Sequence, residues 1–418
     1  MTTGVIVAAP SSGSGKTTLT LGLLRALRNK GIAIRGAKSG PDYIDPQFHS
    51  AACGSPCLNL DAWAMTPERI LSLAQGPLVI EGAMGLFDGA PPDGKGATAD
   101  LARFLRLPVI LVIDAAHMAH SVAAVLRGFA SHDPEVRIGG VILNKVGSPR
   151  HEAMLRSAIA PLGIPVLGAI LRTPTITQPS RHLGLVQALE HPDLEAFIEA
   201  AARLVAQNVD LDAVVSLMAP LPKGPTPKPR APAQRIAVAR DEAFAFAYPH
   251  QLGDWRAAGA EITFFSPLAD ETVPKADFVF LPGGYPELHA GRLAANNRFL
   301  DSLKNATQDT VIYGECGGYM TLGEGLIDKD GVRHRMAGLL PLETSFETRK
   351  LHLGYRSLTS DHGPYQGPAK AHEFHYATTL RAEGDPLFAA KDAEGNDLGA
   401  MGLRMGNVFG SFAHIIDF

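Results

Sequence analysis

A cysteine between glycines is the residue in this sequence best suited to covalent chemistry. The stretch 313–319 reads YGECGGY, so Cys316 lies in the pattern Gly-x-Cys-x-Gly after the apolar run 310–312. Glycines let a strand turn sharply into a helix, which leaves the middle residue strained and exposed at the end of the strand. The helix N-terminus behind it favours the thiolate, the nucleophilic form. The pattern predicts a nucleophile elbow.

A thiol nucleophile needs a base, and an anionic intermediate needs hydrogen-bond donors. His414 follows a strand-like segment near the end of the chain, and we expect it to reach Cys316 across a large distance in sequence. The turn at 282–286 reads PGGYP, and the free N–H groups of Gly283 and Gly284 are predicted to form an oxyanion hole.

Two further histidines compete for the role of base. His372 and His375 lie on a predicted strand together with Glu373, and we expect the two histidines to share one face. They either act as the base for Cys316 or line a substrate cleft. The sequence leaves both alternatives open.

The first strand, 4–8, leads into a phosphate-loop pattern with one departure. Residues 10–17 read PSSGSGKT, so Pro10 stands where the pattern G-x-x-x-x-G-K-[ST] has glycine. Lys16 is predicted to reach the β- and γ-phosphates, and Thr17 to offer its hydroxyl to Mg²⁺. The predicted cofactor-binding set of this loop is Gly13, Ser14, Gly15, Lys16, Thr17 and Thr18.

Polar residues at later strand ends extend this site. Asp42 and Asp45 follow a short strand and are predicted to lie in a loop, as metal ligands, acid–base groups or plain turn formers. Glu81 ends a buried strand and fits the second Mg²⁺ position of a phosphate-loop protein. Asn144 ends another strand and is expected to hydrogen-bond a nucleobase edge.

Alternating strands and helices position these residues. Their alternation to about residue 215 predicts a doubly wound α/β domain, with its ligand beyond the carboxyl ends of the strands. The stretch 218–232 contains six prolines and is predicted to be a semi-rigid linker. A second α/β domain begins with the strand 235–239. We therefore expect domains at 1–217 and 234–418, joined by a linker at 218–233.

Composition excludes several classes of protein. The 418 residues have a net charge of −4 without a block of like charge, so neither nucleic acid nor an anionic membrane is an expected partner. No apolar run approaches a membrane span, and the first strand has no basic segment before it, so we expect a cytoplasmic protein. Three cysteines cannot form a disulfide framework.

Taken together, these motifs resemble the glutamine-dependent amide synthases of cobalamin biosynthesis. The resemblance is closest to the cobyrinic or hydrogenobyrinic acid a,c-diamide synthase family and covers the whole chain. It implies a dethiobiotin-synthetase-like phosphate-loop domain and a class I glutamine amidotransferase-like α/β domain. It rests on residues 9–18, 40–46, 81–89, 282–287, 314–320, 372–376 and 410–414.

The resemblance also implies roles for single residues. Cys316 is the implied glutaminase nucleophile and His414 its base. ATP and Mg²⁺ are the implied cofactors, with Asn144 near the adenine. Class I glutaminases usually carry an acid two residues after the histidine. Ile416 stands there, so we expect a Cys–His dyad or an orienting group from elsewhere.

Further site residues are implied in the same way. The metal partners are Thr17, Asp42 and Glu81. Asp45 is implied as catalytic, and it faces the tetrapyrrole or the domain interface. The stretch 372–376, which includes Glu373 and Tyr376, is expected to do the same.

The implied reaction is amidation of the a and c carboxylates of the ring, through an acyl phosphate and ammonia released from glutamine. The implied partners are glutamine and a corrin-type tetrapyrrole, and a homodimer is left open. The nearest alternatives are nickel-sirohydrochlorin a,c-diamide synthase and cobyric acid synthase. Outside this class, the alternative is a phosphate-loop regulatory ATPase whose second domain binds a ligand.

Overall fold

The chain folds into two units, each of which contains a largely parallel sheet. The computed structural model describes residues 2–172, 180–181, 184–185, 187–225 and 228–418. The chain divides into two compact units, 1–227 and 228–418, which we call the N-terminal and C-terminal units. Among the described residues, no helix combines the length and apolarity needed to cross a membrane.

The sheet of the N-terminal unit has the order β3-β2-β4-β1-β5-β6-β7, and these strands are parallel. The short strand β10 pairs with β1 in the antiparallel direction. The strands are β1 (Thr3–Ala8), β2 (Arg35–Ser39), β3 (Leu58–Leu60), β4 (Leu78–Glu81), β5 (Val109–Asp114), β6 (Ile138–Val146), β7 (Val166–Leu171), β8 (Ser180–Arg181), β9 (Gly184–Leu185) and β10 (Ala219–Pro220).

Helices connect successive strands of this sheet, as a parallel arrangement requires. They are α1 (Lys16–Asn29), α2 (Asp45–Cys53), α3 (Pro67–Leu73), α4 (Thr98–Leu105), α5 (Ser121–Ser131), α6 (Pro149–Ile159), α7 (Leu194–Asn208) and α8 (Leu211–Leu217). The chain leaves β1 toward β2 on one side and later reaches β5 on the other. The strand order thus switches at β1, the position where open α/β sheets bind ligands.

Two local expectations need comment. The prediction that Asp45 lies in a loop is wrong, because Asp45 is the first residue of α2, where a carboxylate complements the helix dipole. The stretch 218–233 stays a proposal as a linker. Its beginning is tied to the N-terminal unit, since Ala219 and Pro220 pair with β1 and the Leu221 N–H donates to the Thr2 carbonyl.

The C-terminal unit is built on a second, largely parallel sheet of order β12-β11-β13-β14-β24-β23, in which β23 is antiparallel. A five-stranded antiparallel sheet has the order β22-β21-β18-β19-β25. The strands are β11 (Arg235–Ala239), β12 (Glu261–Phe265), β13 (Phe278–Leu281), β14 (Val311–Glu315), β15 (Gly325–Ile327), β16 (Arg333–Arg335), β17 (Leu342–Ser345), β18 (His352–Ser360), β19 (Gly367–His375), β20 (Thr378–Ala382), β21 (Phe388–Lys391), β22 (Asp397–Met401), β23 (Leu403–Met405), β24 (Val408–Ser411) and β25 (Ala413–Asp417).

Each face of the second parallel sheet is covered. Ile236, Phe278 and Tyr313 point to one face and pack against residues of the antiparallel sheet, such as Ala371 and Ile415. The alternate residues of the same strands pack on the other face against helices. The helices of this unit are α9 (Pro249–Ala257), α10 (Ala290–Ala295), α11 (Asn297–Ala306) and α12 (Gly317–Leu322). The predicted fold class, a phosphate-loop α/β domain followed by a second α/β domain, is confirmed.

Gly22 in the middle of α1 offers a test of this packing. A Cβ there would lie 2.5 Å from the Ala201 carbonyl oxygen and 2.7 Å from a Val205 methyl on α7. Gly22→Ala should therefore lower the midpoint of thermal unfolding, because overpacking of about 1–3 kcal/mol exceeds the helix-propensity gain of about 1 kcal/mol.

Gly128 on α5 provides the matched control. Beyond the backbone of its own helix and its chain neighbours, no described residue has a heavy atom within 4 Å of its ideal Cβ, so Gly128→Ala should raise the midpoint. Equal stabilisation by both substitutions would contradict the close approach of α1 to α7.

Candidate functional site

The loop between β1 and α1 has the backbone that a phosphate loop requires. Gly13 and Gly15 have φ values of 78° and 88°, in the left-handed region where a side chain is strained. The hydroxyl of Ser14 donates to the Ser11 carbonyl at 2.9 Å, which tightens the loop. Thr18 follows in the first turn of α1, partly buried. The N–H groups at the start of such a helix suit an anion.

Asn144 lies against this loop rather than away from it. Its amide nitrogen donates to the Ser14 carbonyl at 2.9 Å and would lie only 2.3 Å from a Cβ at position 15. Lys145 reaches the same loop, donating to the Gly13 carbonyl at 3.1 Å and to Asp114 at 2.6 Å. In this structure Asn144 therefore buttresses the phosphate loop. Its contact with a nucleobase stays a prediction.

Lys16 is held over the loop by carbonyl oxygens. Its ammonium donates to the Met84 carbonyl at 2.5 Å and to the Ser11 carbonyl at 3.3 Å. Burial lowers the pKa of the Lys16 ammonium, and the negative charge of Glu81 opposes that shift. The group is poised where phosphate oxygens would replace these carbonyls.

Three side chains that could ligate a metal through oxygen, those of Thr17, Asp45 and Glu81, meet next to Lys16. The Thr17 hydroxyl donates to Glu81 Oε1 at 2.7 Å and lies 3.3 Å from Asp45 Oδ2. Asp45, predicted as a catalytic residue, is thus part of the same oxygen cluster. Asp42 is more peripheral: its Oδ1 accepts from the Ile44 N–H at 2.8 Å. Burial and the neighbouring Asp45 carboxylate raise the pKa of Asp42 to about 7.

Sequence reasoning missed two residues of this cluster. The Lys38 ammonium, at the end of β2, lies 2.6 Å from Asp45 Oδ2 and 2.9 Å from Glu81 Oε1. His49 Nε2, on α2, lies 2.8 Å from Glu81 Oε2. Burial opposes ionisation of Glu81, but Lys38 and His49 outweigh it and lower the pKa of that carboxyl. The rule that singled out Glu81, a polar residue at the carboxyl end of a parallel strand, also applies to Lys38.

The cluster fits a nucleoside triphosphate with Mg²⁺. Hydroxyl and carboxylate oxygens are the ligands that Mg²⁺ prefers, and Asp45 and Glu81 each place one carboxylate oxygen within hydrogen-bonding distance of the Thr17 hydroxyl. Apart from its two chain neighbours, no described residue has a heavy atom within 4 Å of an ideal Cβ at Gly13, so a phosphate can approach the backbone there.

In the C-terminal unit, Cys316 lies at the turn between β14 and α12. Its φ of 47° and ψ of −103° are strained for a residue with a side chain. The glycines permit the turn: a Cβ at position 318 would lie 1.9 Å from the Leu281 carbonyl oxygen, and one at 314 would lie 2.7 Å from the Gly318 carbonyl carbon. The backbone is the predicted strained elbow.

One expectation about this cysteine is wrong. Cys316 is buried, with 4% exposure, rather than exposed. Burial raises the pKa of its thiol, with Glu287 adding to the shift and the Gly317 N–H opposing it, so burial works against the thiolate that a helix N-terminus favours. A thiol that stays protonated needs a base to accept its proton.

The predicted oxyanion loop lies beside the elbow. The Gly284 backbone nitrogen lies 3.1 Å from the ideal Cβ position of Gly317. The Gly283 carbonyl accepts from the Phe246 N–H at 2.9 Å, which fixes the loop. Position 284 cannot carry a side chain, because a Cβ there would meet the Ala243 carbonyl oxygen at 2.1 Å. The turn that carries Gly283 and Gly284 thus lies next to Gly317, whose N–H donates to the cysteine, and its role as an oxyanion hole stays a prediction.

His414 lies at the same place. The Cys316 N–H donates to the Ser411 carbonyl at 2.8 Å, and β25 carries His414 three residues further on. The imidazole covers Gly283, where a Cβ would lie 2.2 Å from its Cε1 atom. Its Nδ1 atom lies 3.7 Å from Glu315 Oε2. The structure brings His414, Gly283 and the elbow together, while the role of His414 as base stays a prediction.

The expectation that His372 and His375 share a face is wrong. Both lie on β19, where alternation puts residues 373 and 375 on one face and residue 372 on the other. His375 Nε2 lies 2.9 Å from Glu373 Oε1. His372 instead pairs with His414 across the sheet and packs its ring against Tyr355.

The side chain of His375 is packed between two other rings. Its ring stacks on Phe412 at a centroid distance of 3.9 Å and on His352 at 4.6 Å. Glu373 also lies 2.7 Å from the guanidinium of Arg356. Burial opposes ionisation of Glu373, but His375 and Arg356 outweigh it and lower its pKa to about 2. Glu373 and His375 of β19 thus form a buried polar network with Arg356 of β18.

Two aromatic rings border this network on the exposed side. Phe374 is 45% exposed, and its ring lies 5.8 Å from that of the partly buried Tyr376. The Phe374 carbonyl lies 4.0 Å from the Cys316 sulfur. This stretch therefore borders the nucleophile, and its contact with a substrate stays a prediction.

Glu315 is a further residue that sequence reasoning missed. It is the last residue of β14, directly before Cys316, and is 1% exposed. Burial raises the pKa of Glu315, whereas His414 and the Ile415 N–H oppose the shift. A charged residue ending an otherwise uncharged central strand was the available signal.

Family models of known proteins match both units of the chain. A family model described as the CobQ/CobB/MinD/ParA nucleotide binding domain matches residues 5–186. A model described as the CobB/CobQ-like glutamine amidotransferase domain matches residues 235–418.

Three relatives that align with nearly the whole chain share one name. Hydrogenobyrinate a,c-diamide synthase from Brucella abortus is 56% identical over 99% of this chain and 98% of its own length. The protein of that name from Rhizobium meliloti is 56% identical over 99% of both chains. That from Mesorhizobium japonicum is 50% identical over 99% of this chain and 98% of its own. The chain therefore belongs to the hydrogenobyrinate a,c-diamide synthase family.

Proposed function

We propose that this chain amidates the a and c carboxylates of hydrogenobyrinic or cobyrinic acid, with glutamine as nitrogen donor and ATP as activating co-substrate. One observation carries the proposal. The chain combines a strained cysteine beside a histidine with a phosphate loop beside a carboxylate cluster, each within its own unit. The name of the full-length relatives supplies the ring and its positions.

The C-terminal unit releases ammonia. His414 Nε2 takes the proton of the Cys316 thiol as the sulfur attacks the side-chain amide carbon of glutamine. The oxygen that becomes negative accepts hydrogen bonds from the predicted donor Gly284 and from the neighbouring Gly317 N–H. The imidazolium then protonates the leaving nitrogen, and ammonia departs. Water, deprotonated by the same imidazole, hydrolyses the thioester to glutamate and restores the thiol.

The N-terminal unit activates the acid. A carboxylate is a poor electrophile, so its oxygen first attacks the γ-phosphorus of ATP to give an acyl phosphate and ADP. Ammonia then displaces phosphate, which leaves the amide. Lys16 and Lys38 place positive charge where the transferred phosphoryl group becomes more negative. Thr17, Asp45 and Glu81 would hold Mg²⁺, which neutralises phosphate charge when bound.

Product mass tests this proposal. The full chain is incubated with ATP, Mg²⁺, glutamine and, separately, hydrogenobyrinic acid, cobyrinic acid or nickel-sirohydrochlorin. We expect two carboxyl-to-amide conversions on a corrin-type ring, with glutamate and ADP formed. Amidation of the nickel compound alone would transfer the proposal to that substrate, and glutamate release without any amidated ring would contradict it.

Cys316 should separate the two activities. Cys316→Ser should abolish glutamine-supported synthesis and glutamate release but keep synthesis from ammonium, because only ammonia supply depends on the thiol. Initial rates with both nitrogen sources measure this. Cys53→Ser, a buried cysteine of the N-terminal unit, is the control and should keep both activities. Loss of both activities in Cys316→Ser would contradict the division of labour.

Substitution of Lys16 should remove synthesis and keep glutamine hydrolysis. Lys16→Ala should remove synthesis from glutamine and from ammonium, because carboxylate activation fails, while glutamine hydrolysis continues. The control is Lys30→Ala, which removes a lysine at the exposed end of α1 that pairs with Asp212. An unchanged ammonium-dependent rate in Lys16→Ala would rule out the phosphate-loop assignment. The departure from the pattern at Pro10 would then be the first feature to explain.

His414 and His375 should differ in the same assay. His414→Ala should lower glutamine-dependent turnover about 10²–10⁴-fold and spare the ammonium reaction, as loss of a general base predicts. His375→Ala removes a ring stacked between Phe412 and His352, so it should lower thermal stability by about 1–3 kcal/mol. A selective loss of glutamine use in His375→Ala, with His414→Ala indifferent to nitrogen source, would reverse the assignment.

A further inference from the structure

A catalytic histidine needs a group that fixes its tautomer, and the position that usually supplies it is apolar in this chain. Ile416, two residues after His414, is 2% exposed, and its backbone carbonyl oxygen lies 2.8 Å from His250 Nε2. The orienting group must therefore come from another element if the imidazole is to present an unprotonated Nε2 to the thiol.

The carboxyl group of Glu315 lies beside the other nitrogen of the ring, Nδ1. Its Oε2 atom lies 3.7 Å from His414 Nδ1, and its Oε1 atom accepts from the Ile415 N–H at 3.1 Å. The backbone bond holds the carboxyl group beside β25, because residue 415 directly follows the histidine. Catalytic hydrogen bonds are often long in ligand-free enzymes and shorten when substrate binds.

The surroundings favour this pairing. Glu315 is 1% and His414 2% exposed, so an acid here must find a partner inside the protein. The charged and titratable groups packed around the pair include His372 on β19, Tyr313 on β14 and Tyr365, and Glu287 and Glu373 lie near the cysteine.

We propose that Glu315 is the positioning residue for His414: its carboxylate accepts the Nδ1–H hydrogen bond and leaves Nε2 free to take the thiol proton of Cys316. The residue that precedes the nucleophile thus takes the orienting role that class I glutaminases usually give to an acid two residues after the histidine. This inference rests on the proposed glutaminase activity. Glu315 itself touches neither glutamine nor the reacting sulfur in this account.

Glu315→Gln is the decisive variant. The amide oxygen can still accept the Ile415 N–H, so a purely structural role survives. The amide NH₂ then faces His414 Nδ1 and favours the tautomer with its proton on Nε2, which cannot act as base. We expect glutamine-dependent kcat to fall about 10²–10⁴-fold, KM for glutamine to stay within a few-fold, and ammonium-dependent synthesis to be unchanged.

Controls separate failure of the inference from failure of the proposed function. Glu343→Gln, on β17 and paired with Arg333, makes the same change in the same unit and should leave kcat unchanged. Wild-type protein without glutaminase activity would contradict the proposed function. Active wild type, inactive Cys316→Ser and fully active Glu315→Gln would contradict only the role of Glu315.

A spectroscopic measurement on wild-type protein tests the claim independently of how the variant folds. Imidazole ¹⁵N chemical shifts, with the His414 signals assigned by their absence in His414→Ala, report which nitrogen carries the proton. We expect Nδ1 to be protonated and Nε2 unprotonated at neutral pH. A neutral His414 protonated on Nε2 would overturn the proposal, even if Glu315→Gln does not fold.

Discussion

A buried carboxylate at the last position of a central parallel strand is the constraint shared by both units. Glu81 ends β4 and Glu315 ends β14, and each is 1% exposed. A carboxylate without water is costly unless charged or hydrogen-bonding partners surround it. Lys38 and His49 meet that need for Glu81, and His414 with the Ile415 N–H does so for Glu315. Each site is thus organised around a buried carboxyl group with partners from neighbouring elements.

Glycines complete this organisation, because functional side chains occupy the space of the missing Cβ atoms. The amide of Asn144 lies 2.3 Å from the ideal Cβ of Gly15, and the imidazole of His414 lies 2.2 Å from that of Gly283. In each case a loop that must present N–H groups is pressed against a side chain from another strand. Loop and side chain therefore fix each other before any ligand binds, which is the preorganisation that electrostatic catalysis requires.

The fold and the motif-bearing residues could be predicted from sequence, because strand periodicity, the phosphate loop and the elbow are local patterns. Lys38, His49 and Glu315 could not be assigned, because their partners come from other elements of the fold. The burial of Cys316 depends on packing around the whole elbow. The expectation that His372 and His375 share a face was wrong because of their spacing in sequence. Residues three apart on a strand point to opposite faces.

Transfer of isotope tests the central claim, that one chain moves the side-chain nitrogen of glutamine onto an ATP-activated carboxylate. Glutamine labelled with ¹⁵N in its amide is supplied with ATP, Mg²⁺ and hydrogenobyrinic acid, and the product is analysed by mass spectrometry. The account predicts ¹⁵N in both new amides, and no amide when ATP is omitted. Amides that lack the label while labelled glutamine is hydrolysed, or amides that form without ATP, would contradict it.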